Sequence, residues 1–126
     1  MIMGTLTIKE TLIPFKNISK SIRNLILAQK YFAGTKLPSI RILAQQYNCN
    51  PSTICRALNE LVSDGLVIRS RGRGYYVVDN VLLIQEKRRL ELEKLTMELF
   101  STLGVLGYTS DEILELIMSV AMYNEN

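Results

Sequence analysis

A chain of 126 residues can bury one modest hydrophobic core and carry an attached element, but it has little room for a second full domain. With 48% hydrophobic and 21% charged residues it is too apolar to be largely disordered, and no apolar run approaches the roughly 20 residues that span a bilayer. The net charge of +3 divides unevenly: residues 1–80 hold eleven basic and four acidic side chains, net +7, whereas residues 81–126 hold four basic and eight acidic, net −4. A surface for a polyanion is therefore expected in the first part.

At the start, Leu6 and Ile8 alternate with polar residues, which suits a short strand or an extended arm over residues 5–9. No basic start, continuous apolar segment and small-residue cleavage site occur there, so a signal peptide is not expected and the cytoplasm is the expected location. From residue 15 to residue 31, Ile18, Ile22, Leu25 and Ile26 recur at helical spacing, with Lys16, Lys20, Arg23 and Lys30 on other sides. Gly34 and Pro38 bracket a loop, and Ser39 can cap a short second helix in which Ile40, Leu43 and Ala44 face inward. That helix should end near residues 47–48.

Asn50 with Pro51 starts a third helix, over residues 51–64, and Gly65 ends it. Ile54, Ala57, Leu58, Leu61 and Val62 share its core side, while Ser52, Cys55, Arg56 and Asn59 fall on the opposite one. Residues 66–69 and 75–78 are β-rich, and the basic glycine turn of residues 70–74 between them has the length and chemistry of a hairpin loop. One of Tyr75 and Tyr76 should pack inward and the other face out. Asp79 and Asn80 form a break.

Beyond the break, Leu92, Leu95, Leu99 and Leu103 stripe a long helix that starts at Val81 and closes near Gly104. Thr109 and Glu112 have the spacing of a capping box, followed by a last helix to which Ile113, Leu116, Ile117 and Val120 give a buried face. Two helices cannot hide that much apolar surface against each other. A second copy of the chain should cover part of it, through Leu92, Leu95, Leu99, Leu103, Ile113, Ile117 and Val120.

The order helix, turn, helix, hairpin is that of a winged helix-turn-helix, mainly α with a small β wing, here joined to a C-terminal helical hairpin. Short hydroxyl and amide side chains at a helix N-terminus suit phosphate oxygens or base edges, and arginine offers a bidentate fork for guanine. The candidate DNA-contacting residues are Lys36, Ser39, Arg41, Asn50, Ser52, Thr53, Cys55, Arg56, Arg71, Gly72 and Arg73. Several have a plainer role open to them: Ser39 and Asn50 as helix caps, Gly72 and Gly74 as turn formers. Cys49 reads as a small buried residue and Cys55 as an exposed thiol; a rigid helix hinders their pairing, so both should be reduced.

Enzyme chemistry finds little support. Histidine is absent, two lone thiols make no zinc site, and no helix follows Gly74 to bind phosphate, so neither a metal nor a cofactor is expected. The competing class is a winged module for protein assembly without specific DNA binding; three wing arginines and Arg41 fit a polyanion better than a protein groove.

Four ordered segments carry a family resemblance. They are Leu37-Pro38-Ser39 with Arg41, Thr53 with Arg56-Ala57-Leu58 and Leu61, Asp64-Gly65-Leu66, and Arg71-Gly72 with Gly74 and Val77. Over residues 14–79 the chain resembles the N-terminal DNA-binding domain of the GntR family of bacterial transcription regulators. Only 46 residues follow position 80, and this brevity, with Asn50-Pro51 and Thr53, is similar to the YtrA subfamily. The resemblance implies a winged helix-turn-helix domain over residues 1–80 and a helical dimerisation region over residues 81–126. It implies that Arg41 touches phosphate or base, that Asn50, Ser52 and Thr53 open the recognition helix at the major groove, and that Gly72 nears the minor groove. Cys55 stands where several relatives carry a base-reading arginine, so a target sequence does not transfer. The expected whole is a homodimeric repressor on a palindromic operator of double-stranded DNA, without membrane contact. No residue identifies an effector.

Overall fold

A computed structural model describes residues 14–125; the strand or arm read over residues 5–9 lies outside them. In chain order come α1 (Phe15–Leu27), α2 (Ile40–Gln46), α3 (Pro51–Ser63), β1 (Val67–Ser70), β2 (Gly74–Val77), α4 (Val81–Val105) and α5 (Ser110–Glu125). Contacts divide the described residues into two compact units, with the boundary in the chain between Lys87 and Arg88. The first unit holds α1 to β2 and the opening of α4.

Its core is aliphatic. Ile18, Ile22, Ile26 and Leu27 of α1, Leu43 of α2, Ile54, Leu58 and Leu61 of α3, and Leu66, Val67 and Val77 around the hairpin are buried, and Ile84 of α4 joins them. Two inward assignments change. Leu27 takes the buried place expected for Leu25, which is half-buried, and Val62 stands exposed, because one residue past Leu61 the helix has turned by about 100° away from the core.

Helices α1 to α4 all close with a Schellman pattern. In α3, Gly65 (φ +79°) donates from its amide to the Val62 carbonyl and Leu66 to the Leu61 carbonyl, at 3.0 and 3.1 Å. In α4 the left-handed residue is Gly107 (φ +95°), three positions beyond the expected Gly104, which lies inside the helix. In α2 it is Asn48 (φ +52°) and in α1 it is Gln29 (φ +59°). The amide of Lys30 reaches the Leu25 carbonyl at 2.8 Å, so α1 stops at Leu27 rather than near residue 31. Glutamine in this conformation is uncommon.

The hairpin pairs Val67 with Val77, Ile68 with Tyr76, Arg69 with Tyr75 and Ser70 with Gly74, antiparallel. A three-residue loop joins the strands, closed by the Arg73 amide on the Ser70 carbonyl at 3.0 Å. Lys36 bridges to Tyr76, and the Leu37 amide donates to the Tyr75 carbonyl at 2.9 Å, so the segment before α2 acts as a third edge of the small sheet. Ser39 caps α2 as expected, its Oγ accepting from the Ile42 amide at 3.2 Å. The capping box of α5 is complete: the Thr109 amide donates to Glu112 Oε1 at 3.0 Å, and the Glu112 amide to Thr109 Oγ1 at 3.2 Å.

Leu58 is fully buried, whereas Leu82 on the first turn of α4 is 78% exposed. Leu58→Ala should therefore lower unfolding free energy by about 2–5 kcal/mol in denaturant titration. Leu82→Ala should stay within about 0.5 kcal/mol of the parent.

Candidate nucleic-acid interface

Among the described residues, no side-chain hydrogen bond caps the N-terminus of α3. Asn50 makes no side-chain cap, contrary to the capping role open to it; its backbone carbonyl receives the Thr53 amide at 3.0 Å. Its amide group and the Ser52 hydroxyl are on exposed residues, with Thr53 half-buried beside them. No acidic residue occupies the first turn, which leaves the positive end of the helix dipole open to an anion. Ser39, by contrast, is committed to its cap. Arg41 extends from the exposed side of α2.

The outer face of α3 does not behave uniformly. Arg56 lays its guanidinium over the Phe15 ring of α1, 4.2 Å from the centroid, and Lys16 approaches the same ring at 5.4 Å. Lys16 also pairs with Glu60 at 3.2 Å, and Glu60 accepts a hydrogen bond from the buried Ser19 hydroxyl at 3.2 Å. One turn from Arg56, Asn59 Oδ1 accepts from the Tyr75 hydroxyl of β2 at 3.3 Å. The face therefore divides into an open first turn and a second part tied to α1 and to the hairpin. Cys55, expected as an exposed thiol, is half-buried, because it sits next to Ile54 on the flank between core and surface. Cys49 is half-buried rather than buried, packs against the core, and burial pushes its thiol pKa upward.

At the hairpin tip Arg71, Gly72 and Arg73 are exposed, and neither arginine forms an ion pair among the described residues; the same holds for Arg41. Lys36 joins them. Its side chain lies across Gly74, where an added Cβ would come within 3.2 Å of the lysine Cε. The loop position of Lys36 in the sequence gave no sign of this; the bridge to Tyr76 brings it there. Tyr75 is buried and Tyr76 half-buried, as alternation requires, and Arg69 lies 6.0 Å from the Tyr75 ring centroid.

Phe15, Asn59, Glu60 and Tyr75 shape this surface without having been singled out for it. Their partners lie 16 to 44 residues away in the chain, beyond the reach of local pattern. In the second unit Leu92, Leu95 and Leu99 are exposed and Leu103 is half-buried; of the face expected to be buried on α5, Ile113 is buried, whereas Leu116, Ile117 and Val120 stand exposed because too little of the chain packs against them to cover the whole stripe. No group of histidine, cysteine and carboxylate side chains suited to a metal occurs among the described residues.

A short helix-turn-helix backed by a basic β wing defines a winged-helix DNA-binding protein. Residues 14–77 match the family model described as bacterial regulatory proteins, gntR family, and the chain belongs to that family of DNA-binding transcription regulators, which are not enzymes. The transcriptional repressor YtrA of Bacillus subtilis is 34% identical over 83 residues, a match covering 64% of each chain. A GntR family transcriptional regulator from Listeria monocytogenes superposes with a TM-score of 0.79 at 30% identity, over 83% of this chain and 92% of that one. The DNA-binding domain of AraR, solved in complex with operator ORX1, superposes with a TM-score of 0.51 at 30% identity, over 55% of this chain and 84% of that one.

The stacking of Arg56 on Phe15 is testable without DNA. Phe15→Leu and Arg56→Ala should each destabilise the fold, with a coupling between them of about 0.5–1 kcal/mol in a double-mutant cycle. Strict additivity would mean that the ring and the guanidinium do not interact.

Proposed function

We propose that this regulator is a homodimeric repressor that binds a palindromic operator in the bacterial cytoplasm. The winged domain, residues 1–80, supplies the DNA contact and residues 81–126 the dimer contact. The observation that carries the reading is the set of cations that find no carboxylate partner among the described residues, Arg41, Arg71 and Arg73, on the unit that also presents the open N-terminus of α3. Side chains held this way release counterions when phosphates replace water, which stabilises the complex in a salt-dependent manner. Under this reading Asn50, Ser52 and Thr53 meet base edges or phosphates in the major groove, Arg41 a phosphate or guanine, and Lys36, Arg71, Gly72 and Arg73 the backbone beside the minor groove. Ser39 and Arg56 lie at the rim, the first as a cap and the second held by Phe15.

Exposed apolar side chains of the second unit support the dimer. Leu92, Leu95, Leu99, Ile117 and Val120 stand exposed there, and exposed apolar side chains gathered in this way mark a surface that a partner covers. A twofold dimer presents two recognition helices in inverted orientation, and the matching DNA is a palindrome. The name of YtrA, a repressor, and the operator bound by the AraR domain support the direction of regulation and the ligand.

Selection of bound duplexes from random DNA should return inverted half-sites. With such a duplex, Arg41→Ala and Arg71→Ala should each weaken binding and reduce the slope of log K against log salt by about 0.9 per lost phosphate contact. Equal affinity and slope for both variants and the parent would remove the proposed DNA surface. The double variant Leu95→Glu, Leu99→Glu should sediment as a monomer and lose far more affinity for two half-sites than for one, since linked sites act at an effective concentration that the monomer lacks. Sedimentation of the parent as a monomer at micromolar concentration would refute the dimer.

A further inference from the structure

Tyr75 has an unusual set of attachments for a wing residue. Its ring is buried on the core side of the hairpin, its strand partner Arg69 holds a guanidinium 6.0 Å from that ring, and its hydroxyl leaves the hairpin to reach Asn59 Oδ1 of α3 at 3.3 Å. Asn59 lies one turn beyond Arg56 on the face of α3 that begins with Ser52. The bond is thus a direct link from the helix proposed to read DNA to the strand that carries the arginine tip. Burial of the ring fixes the hydroxyl; the hydroxyl fixes the register of hairpin against helix. A second restraint acts on the opposite edge of β2, where Lys36 crosses Gly74 and the Leu37 amide bonds the Tyr75 carbonyl at 2.9 Å. Together they leave the hairpin little freedom to swing.

We propose that Asn59 and Tyr75 are positioning residues that lock the wing at one angle to α3, so that Arg71 and Arg73 meet phosphates at the same moment as the N-terminus of α3 meets the groove. This rests on the DNA-binding reading given above. A preset angle matters because two contact regions joined by a hinge lose part of their joint affinity to ordering, and a pre-organised pair does not. Neither residue needs to touch DNA.

Tyr75→Phe removes only the hydroxyl and Asn59→Ala only the acceptor, and both positions tolerate the change without loss of core volume. The probe is a fluorescein-labelled duplex carrying the sequence that the parent chain selects from a random pool. Each variant should bind about 2–10-fold more weakly at a temperature where it is still fully folded, and its melting temperature should fall by no more than the few degrees expected for one neutral hydrogen bond. The double variant should lose no more than the worse single. The diagnostic readout is the wing itself: Arg71→Ala should cost less in the Tyr75→Phe background than in the parent, and the salt slope of Tyr75→Phe should already be reduced. Wild-type affinity and slope in both variants, or losses strictly additive with that of Arg71→Ala, would overturn the lock while leaving DNA binding intact. If instead Arg71→Ala and Arg73→Ala do not weaken the parent, the wing has no DNA role, and the DNA reading of the wing falls together with the lock.

Discussion

The burial of one whole face of α3 is the constraint on which the winged unit depends. Ile54, Ala57, Leu58 and Leu61 have no solvent exposure, and they meet the isoleucines of α1, Leu43 of α2 and the valines of the hairpin. Removing such side chains from water contributes about 1.5–3 kcal/mol for each of the larger ones, so the core fixes the rotation of α3 about its own axis. A helix with its rotation fixed has only its opposite face to offer a partner. Ser52 and Arg56 are outside because Ile54 and Leu58 are inside.

Around that helix the fold uses polar ties where apolar packing ends. Glu60 gathers Lys16 and the buried Ser19 hydroxyl, and the hydroxyls of Ser21 and Tyr47 share a bond of 2.9 Å that links α1 to the end of α2. Because Ser19 is the buried polar residue of this core, its bond to Glu60 also removes what would be an unsatisfied group at the α1 and α3 contact. The cations near α3 consequently differ in availability. Lys16 and Arg56 are engaged with Phe15 and Glu60, whereas Arg41, Arg71 and Arg73 form no ion pair among the described residues, which suits the proposed role toward an outside anion.

Much of this architecture was legible because its signals are local. The Ser39 cap, the Thr109 and Glu112 box, Pro51 at the start of α3 and Gly65 at its end each work within one helical turn, so residue type and spacing suffice. The stop of α1 was not legible, since Gln29 adopts a conformation that its residue type does not announce. Gly104 marked the end of α4 to within one residue, although the glycine whose left-handed conformation closes the helix is Gly107. The site was read in part. Spacing placed Arg56 and Asn59 on the outer face, but the ring under one and the hydroxyl on the other belong to α1 and β2, and only the packed core brings them there.

The side chains left open on α3 are short, and this has a consequence for how the proposed complex must form. With Arg56 drawn onto Phe15 and Cys55 half-buried, the first turn offers Asn50, Ser52 and Thr53, whose polar atoms extend only a little beyond the backbone. Short side chains can reach base edges only if the helix end itself comes close to the groove floor. Such an approach brings the hairpin against the flanking backbone whatever its tip carries, and a wing of fixed angle then either fits or obstructs. Under the proposed reading, arginines at the tip and a glycine between them would make the fit favourable, the cations toward phosphate and Gly72 without a side chain to clash. In the proposed complex the depth at which α3 would read and the angle at which the wing would stand form a single geometric requirement, one that the hydrogen bond of Tyr75 to Asn59 would help to meet.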